Sequence, residues 1–209
     1  LALIVQRQKE IDGFKSETFF ELKTIYRETE FNCQIERLKT KEKAQKGLEY
    51  LQDKPFEVTS FEQKDAKEGN PRLYDLTSLQ VDGNRYYAYS AEDTLNKVQS
   101  LYEKKLVTYP RVDTTYLSED LHPKIPGILA GLRDYKRFTE SVAGKPIKKS
   151  KQIFDDKKIT DHHAIIPTGV APSGISPDEQ RVYDLIVRRF IAVFYPEYKV
   201  SNTTVLGKV

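Results

Sequence analysis

The chain has 209 residues, with 34 Lys and Arg against 31 Asp and Glu, and its net charge of +3 sets up no overall field that would mark a nucleic-acid binder, so any such function is confined to local patches. The length suffices for one large or two small domains, and two is the better starting expectation. A single cysteine, Cys33, excludes a disulfide framework or a Cys-rich zinc site and reads as a core residue in a reducing cytoplasm. No apolar run approaches the roughly 18 residues of a membrane span, so a soluble, cytoplasmic protein without a membrane partner is expected.

Residues 1–12 set Leu3, Ile4 and Ile11 at helix-like intervals before Asp12-Gly13. The opening Leu1-Ala2-Leu3-Ile4-Val5 resembles the middle of a buried element, and with no Met anywhere the chain is expected to start inside a longer protein. Thr18 to Ile35 alternates, with Phe20 and Leu22 before and Phe31, Cys33 and Ile35 after a polar Arg27-Glu28-Thr29-Glu30, which predicts a hairpin with a solvated turn. Lys41 to Leu51 carries Ala44, Leu48 and Leu51 at helical spacing and is closed by Asp53-Lys54-Pro55. Phe56 to Gln63 then returns to the chemistry of a strand.

After Gly69-Asn70-Pro71 the character becomes helical, so a domain boundary is expected near residue 70. Leu73 to Gln80 reads as helix and Asp82 to Tyr89 as a polar, Tyr-rich turn whose Tyr86, Tyr87 and Tyr89 pack beside the next helix instead of stacking bases. Ser90-Ala91-Glu92-Asp93 has the form of a capping box, and Leu95, Val98, Leu101 and Tyr102 follow on one face. That helix aims the chain at Tyr109. Pro123 and Pro126 interrupt the following segment, Ile128 to Phe138 reads as a helix broken around Gly131, and residues 144–160 form a lysine-rich loop tempered by Asp155 and Asp156. Ser176-Pro177-Asp178-Glu179 supplies an N-cap, a proline at the first helical position and a box-closing glutamate. The helix it starts carries Val182, Leu185, Ile186, Phe190 and Phe194 until Pro196 stops it. From Tyr198 to Leu206 the pattern alternates again, returning the chain to the first, β-rich unit.

Two segments carry chemistry. In Val107-Thr108-Tyr109-Pro110-Arg111-Val112-Asp113-Thr114, Pro110 biases Tyr109 toward extended backbone, where residues two apart share a side, so Tyr109 and Arg111 are expected to face one site. A guanidinium holds two phosphate oxygens at once and stays charged, whereas a phenol, with a pKa of about 10, needs help to lose its proton as it attacks. The second segment, Thr160-Asp161-His162-His163-Ala164-Ile165-Ile166-Pro167-Thr168, places adjacent imidazoles on opposite sides of an extended chain. They suit phosphate binding or proton transfer better than shared zinc ligation.

Together, in this order, these two segments resemble the type IA DNA topoisomerases, closest to the bacterial topoisomerase III branch. Further matches are Leu1-Ala2-Leu3-Ile4-Val5, Leu73-Tyr74-Asp75-Leu76-Thr77-Ser78-Leu79-Gln80, and Ser90 to Leu95 leading into Gln99-Ser100-Leu101-Tyr102-Glu103. The resemblance implies an α+β, multidomain fold: the end of a neighbouring helical domain at 1–13, a β-rich hinge domain split between 14–70 and 196–209, and at 71–195 a mainly helical, CAP-like domain carrying the nucleophile. It implies that Tyr109 attacks single-stranded DNA, in negatively supercoiled or linked molecules, and is left joined to the 5′ phosphate, with strand passage and religation but no ATP. The absence of a G-x-x-x-x-G-K-[ST] loop is consistent with that. Arg111 would contact the scissile phosphate and His162 would bind it and assist proton movement. Asp113 and Thr114 would shape the DNA-binding stretch, and His163 has no catalytic role. The family's Mg²⁺ sits on an Asp-x-Asp motif of an N-terminal Toprim domain of the same polypeptide, and no such motif occurs here. The chain by itself is therefore expected to bind single-stranded DNA weakly and not to relax supercoils, while the whole protein would be cytoplasmic and nucleoid-associated. A tyrosine recombinase is excluded by order and residue type, since Ile165 and Ile166 stand three places beyond the two histidines. A non-catalytic winged-helix-like DNA-binding module is the alternative, and it gives no reason to group Arg111 and His162 with a tyrosine.

Overall fold

In the computed structural model, which describes residues 1–35, 37–142 and 144–209, the chain divides into two contact-dense units. One comprises Leu1–Lys64 with Ser201–Val209, the other Asp65–Val200.

The first unit opens with α1 (Ala2–Asp12), which buries no residue. Leu1, Leu3, Ile4 and Val5 are exposed, so the expected burial of this run is not met by any of the described residues. Strands β1 (Lys23–Tyr26) and β2 (Thr29–Asn32) pair antiparallel, Tyr26 opposite Thr29. Their turn residues Arg27 and Glu28 both take positive φ, 47° and 64°, the conformation whose twist matches the flanking strands of a two-residue hairpin. Cys33 lies just past β2 and is exposed, a correction to its reading as core: the alternation that suggested burial outlasts the strand that would have supplied it. Helix α2 (Lys41–Leu51) is capped by the Thr40 hydroxyl, which accepts from the Lys43 N–H. Strand β3 (Glu57–Glu68) runs further than the sequence pattern and pairs with β4 (Tyr198–Lys208). Contacts of Thr59 with Leu206 and of Gln63 with Ser201 descend on one strand as they rise on the other, the order of an antiparallel ribbon. The Phe56 ring meets Tyr26 and Phe31 at centroid distances of 5.1 and 4.7 Å. Gly207 is required there, because a Cβ on it would stand 2.1 Å from the Phe56 ring.

The second unit holds the core. Helices α3 (Leu76–Tyr87) and α4 (Ala91–Glu103) are followed by two short ones, α5 (Ile125–Gly131) and α6 (Lys136–Thr139), and by the long α7 (Pro177–Val193). The helices α3, α4 and α7 pack on one another around Leu79, Val98, Leu101, Val182, Ile186 and Phe190, each such side chain contributing roughly 1.5–3 kcal/mol when fully buried. Helix α3 corrects two expectations. It begins only at Leu76, after an Asp75–Ser78 capping box, and it continues through the stretch read as a turn until Ala88 stops it in the left-handed conformation (φ 57°). The buried Asp82 accepts from the Tyr74 hydroxyl and the Arg189 guanidinium, both at 2.6 Å, a partner from α7 that makes a polar helix interior favourable. The tyrosines expected beside the next helix turn mainly to α7 instead: the Tyr87 and Tyr89 rings stand 5.5 Å apart, Arg181 of α7 lies over Tyr87 and Tyr89 donates to Asp178, while α4 meets Tyr89 through Lys97 and Tyr86 is exposed.

Helix α5 ends against backbone. A Cβ on Gly131 would lie 2.1 Å from the Gly169 carbonyl oxygen, which explains the glycine where the helical pattern breaks. The lysine-rich stretch has no regular structure apart from a single turn at Asp156–Lys158, yet it is anchored by the buried Phe154, bridged to Leu117. No helix among the described residues is long and apolar enough to cross a membrane.

Candidate active site

The site is assembled from irregular extended segments held in front of the helices. Helix α4 is started by the predicted box, in which Ser90 accepts from the Asp93 N–H and Asp93 accepts from the Ser90 N–H. It stops at Lys104, and Lys105 takes a left-handed φ of 60° that reverses the chain into Leu106 and Val107, both buried. Val107 bridges antiparallel to Pro167, and Tyr74 to Ile165. The segment after His163 therefore lies between two others and is fixed on both sides: Thr108 N–H donates to the Ile166 carbonyl at 2.9 Å, Ile165 N–H to Tyr74 at 2.8 Å, and Ala164 N–H to Tyr116 at 2.9 Å.

This arrangement brings Tyr109 and His162 together. Their ring centroids are 4.6 Å apart with a tilt of 42°, while Tyr102 of α4 meets Tyr109 edge-on at 5.4 Å. Tyr109 is thus half-buried, one aromatic neighbour fixing it from the helix and an imidazole standing beside it. Pro110 is buried, and Val112 accepts from the Leu76 N–H, which pins the strand beyond Tyr109 to the start of α3.

The other expected site residues differ in their surroundings. Arg111 is exposed and has no ion-pair partner among the described residues, so its charge is available to a ligand. Asp113 is also exposed. Thr114 is buried, its hydroxyl donating to the Lys158 carbonyl at 2.7 Å and accepting from the Tyr116 N–H at 3.3 Å, so it ties the Tyr109 segment to the lysine-rich stretch. The two histidines contrast. His162 is exposed, while His163 is half-buried with Nδ1 2.8 Å from the Ala164 carbonyl, and burial holds its pKa below the ordinary imidazole value, only partly offset by that carbonyl.

Sequence reasoning missed Tyr102 and Thr108. Tyr102 was legible as part of the α4 face but not as a neighbour of Tyr109. Thr108 carried no signal, since its hydroxyl bonds only to the distant Ala164–Ile166 segment. No three His, Cys, Asp or Glu side chains among the described residues gather as metal ligands. The described groups do not fit Mg²⁺.

The sequence profile of the DNA topoisomerase family matches residues 1–209. This chain belongs to the DNA topoisomerase family. Among relatives, the DNA topoisomerase 3 of Bacillus cereus is 38% identical over 222 residues and that of Bacillus subtilis 33% identical over 219, each match covering 100% of this chain and 30% of the relative. The chain thus spans about 30% of the length of these topoisomerases. The solved structure of full-length topoisomerase I from Thermotoga maritima has the same fold, with a TM-score of 0.71 at 19% identity over 99% of this chain and 34% of that one. The bacterial type IA, topoisomerase III resemblance drawn from the motifs and the α+β class are both borne out.

Proposed function

We propose that this chain supplies the nucleophilic half of a type IA topoisomerase active site, with Tyr109 attacking a phosphodiester of single-stranded DNA. The Tyr109 Oη–P bond forms as the P–O3′ bond breaks. The phenol proton leaves toward the His162 imidazole or solvent, and the 3′ oxygen takes up a proton. One phosphodiester replaces another, so religation needs no nucleotide hydrolysis. Arg111 neutralises the charge on the phosphate oxygens, since phosphoryl transfer is governed by positioning and charge stabilisation. Asp113 and Thr114 shape the strand-binding stretch. The segments 14–70 and 196–209 serve as a hinge for the Tyr-carrying part, 71–195, which opens to pass a strand of negatively supercoiled or linked DNA. The acidic, Mg²⁺-binding half of the site belongs to a Toprim domain of the complete polypeptide.

The observation that supports this reading is the 4.6 Å approach of the Tyr109 and His162 rings, from segments that have no reason to meet unless the fold groups them. The test is SDS-stable attachment of a 3′-labelled oligonucleotide to the complete polypeptide. Tyr109→Phe is expected to abolish the adduct, and Arg111→Ala and His162→Ala to lower its rate of formation by about 10²-fold or more. An adduct that persists in Tyr109→Phe with Arg111 and His162 intact overturns the assignment. This chain alone is expected to leave a supercoiled plasmid unrelaxed, and relaxation by it would overturn the assignment of the metal-binding half to another domain.

A further inference from the structure

The segments carrying Tyr109 and His162 run antiparallel where Val107 faces Pro167, and one residue later the ladder forks at Thr108. In an ordinary antiparallel hydrogen-bonded pair the two residues exchange both main-chain bonds. Thr108 N–H does donate to the Ile166 carbonyl at 2.9 Å. The return bond is different: Ile166 N–H donates to Thr108 Oγ1 at 3.0 Å, and the same hydroxyl donates to the Ala164 carbonyl at 3.1 Å. A side chain thus takes the place of the Thr108 main-chain carbonyl in the ladder.

Past this point the two segments part. Ala164 N–H, which the same register would turn toward Pro110, goes to the Tyr116 carbonyl at 2.9 Å, and Pro110 has no N–H to offer. Had the Val107–Pro167 register continued, Tyr109 would lie opposite Ile165, with the His162 backbone three residues further along, roughly 10 Å off at the rise of a strand. Where the segments part, the Tyr109 and His162 rings meet, their centroids 4.6 Å apart.

We propose that Thr108 is a positioning residue whose hydroxyl holds this fork and so fixes the contact between Tyr109 and His162. The functional consequence rests on the reading of Tyr109 as nucleophile, but the geometric claim does not. A hydroxyl is needed because it accepts and donates at once. Valine has the same shape and can do neither.

The experiment compares Thr108→Val, Thr108→Ser and Thr168→Val in the complete polypeptide, with two readouts. One is the ring-current displacement that Tyr109 imposes on the His162 ring protons, seen in ¹³C-histidine NMR as the difference from Tyr109→Leu, with Tyr109→Phe, which keeps the ring, expected to retain it. The other is the rate of covalent adduct formation. Thr168→Val is the structural control, because the Thr168 hydroxyl donates to the Lys105 and Leu106 carbonyls on the near side of the fork. Thr108→Val is expected to lose the displacement and to slow adduct formation by roughly 10- to 100-fold, the scale of a 1 Å misplacement. Thr108→Ser is expected to keep both within about 2-fold, as its hydroxyl restores the same bonds, and Thr168→Val to keep both despite a lower melting temperature. Where Thr108→Val does not fold, Thr108→Cys replaces it, its thiol being only a weak donor and acceptor. A hydroxyl-free Thr108 variant that retains the displacement and the wild-type rate overturns the proposal, as does equal loss in Thr168→Val. If Tyr109→Phe still forms the adduct, the catalytic reading fails, and the NMR arm still decides whether Thr108 holds the fork.

Discussion

Three tyrosines of this chain are held as neutral phenols by their surroundings. Burial pushes the Tyr183 hydroxyl up to about 12, with the charge of Asp134 adding to it. Tyr135 is raised well above the ordinary phenol range by burial and then by Asp184, and Tyr74 by burial and its hydrogen bond to Asp82. These three hold their protons and serve the core. Tyr109 differs in being half-buried with an imidazole beside it and an exposed guanidinium two residues away. Tyr183 carries a separate consequence. Its hydroxyl is fully buried and has no hydrogen-bond partner among the described residues, and an unsatisfied buried polar group costs about 1–3 kcal/mol. Tyr183→Phe removes that group while keeping the ring that meets Tyr135 at 6.3 Å. Urea unfolding is expected to show the variant more stable by about 0.5–1.5 kcal/mol, and a loss of stability would mean that the hydroxyl is satisfied after all.

At the scale of elements, the join between α4 and α7 is electrostatic as well as apolar. Glu179, at the third position of α7, accepts from the Ser176 N–H to close its capping box and also from the Ser100 hydroxyl and the Lys104 ammonium at the end of α4, at 2.5 and 2.7 Å. Burial alone would raise this carboxyl, but the Lys104, Ser100 and Ser176 bonds outweigh it and pull it down to about 2. A folded pKa below the unfolded value of about 4.3 gives stability that is fully present above that value and is lost as the pH falls toward 2. Glu179→Gln is therefore expected to cost on the order of 1–2 kcal/mol at pH 7 and to flatten the decline in melting temperature between pH 5 and pH 2. An unchanged acid limb would sink this account. The box itself was legible, because Ser176, Pro177 and Glu179 state their roles within four residues. The bonds to Ser100 and Lys104 were not, since they depend on where α4 ends. The same division holds elsewhere. The boxes at Ser90 and Ser176 and the hairpin turn are local chemistry, whereas α3 outran its pattern because Asp82 is paired from α7. Tyr109 and His162 were joined by motif, but the Thr108 fork that sets their distance is tertiary and left no mark in the residue order.

Across the whole chain, burial is unevenly shared. Every buried hydrophobic residue among those described lies between Leu73 and Val193, inside the unit Asp65–Val200. The unit formed by Leu1–Lys64 and Ser201–Val209 has aromatic contacts around Phe56, but none of its described residues is fully removed from water. Apolar burial is the main favourable term in folding, and local opening costs least where buried contacts are few. The hairpin of β1 and β2 and the helix α2 should therefore open at a small fraction of the free energy needed to open α4 or α7. Such weakness suits the proposed hinge, because a segment that must bend is drawn from the low-stability end of a structure. Hydrogen exchange on this 209-residue chain is expected to show protection in Lys23–Asn32 and Lys41–Leu51 at least about 100-fold below that of Val182–Ile191. Equal protection in the two units would mean that the β-rich one gains its stability from something other than burial. Its assignment as the compliant part of the molecule would then fail, while the proposed chemistry of Tyr109 would be untouched.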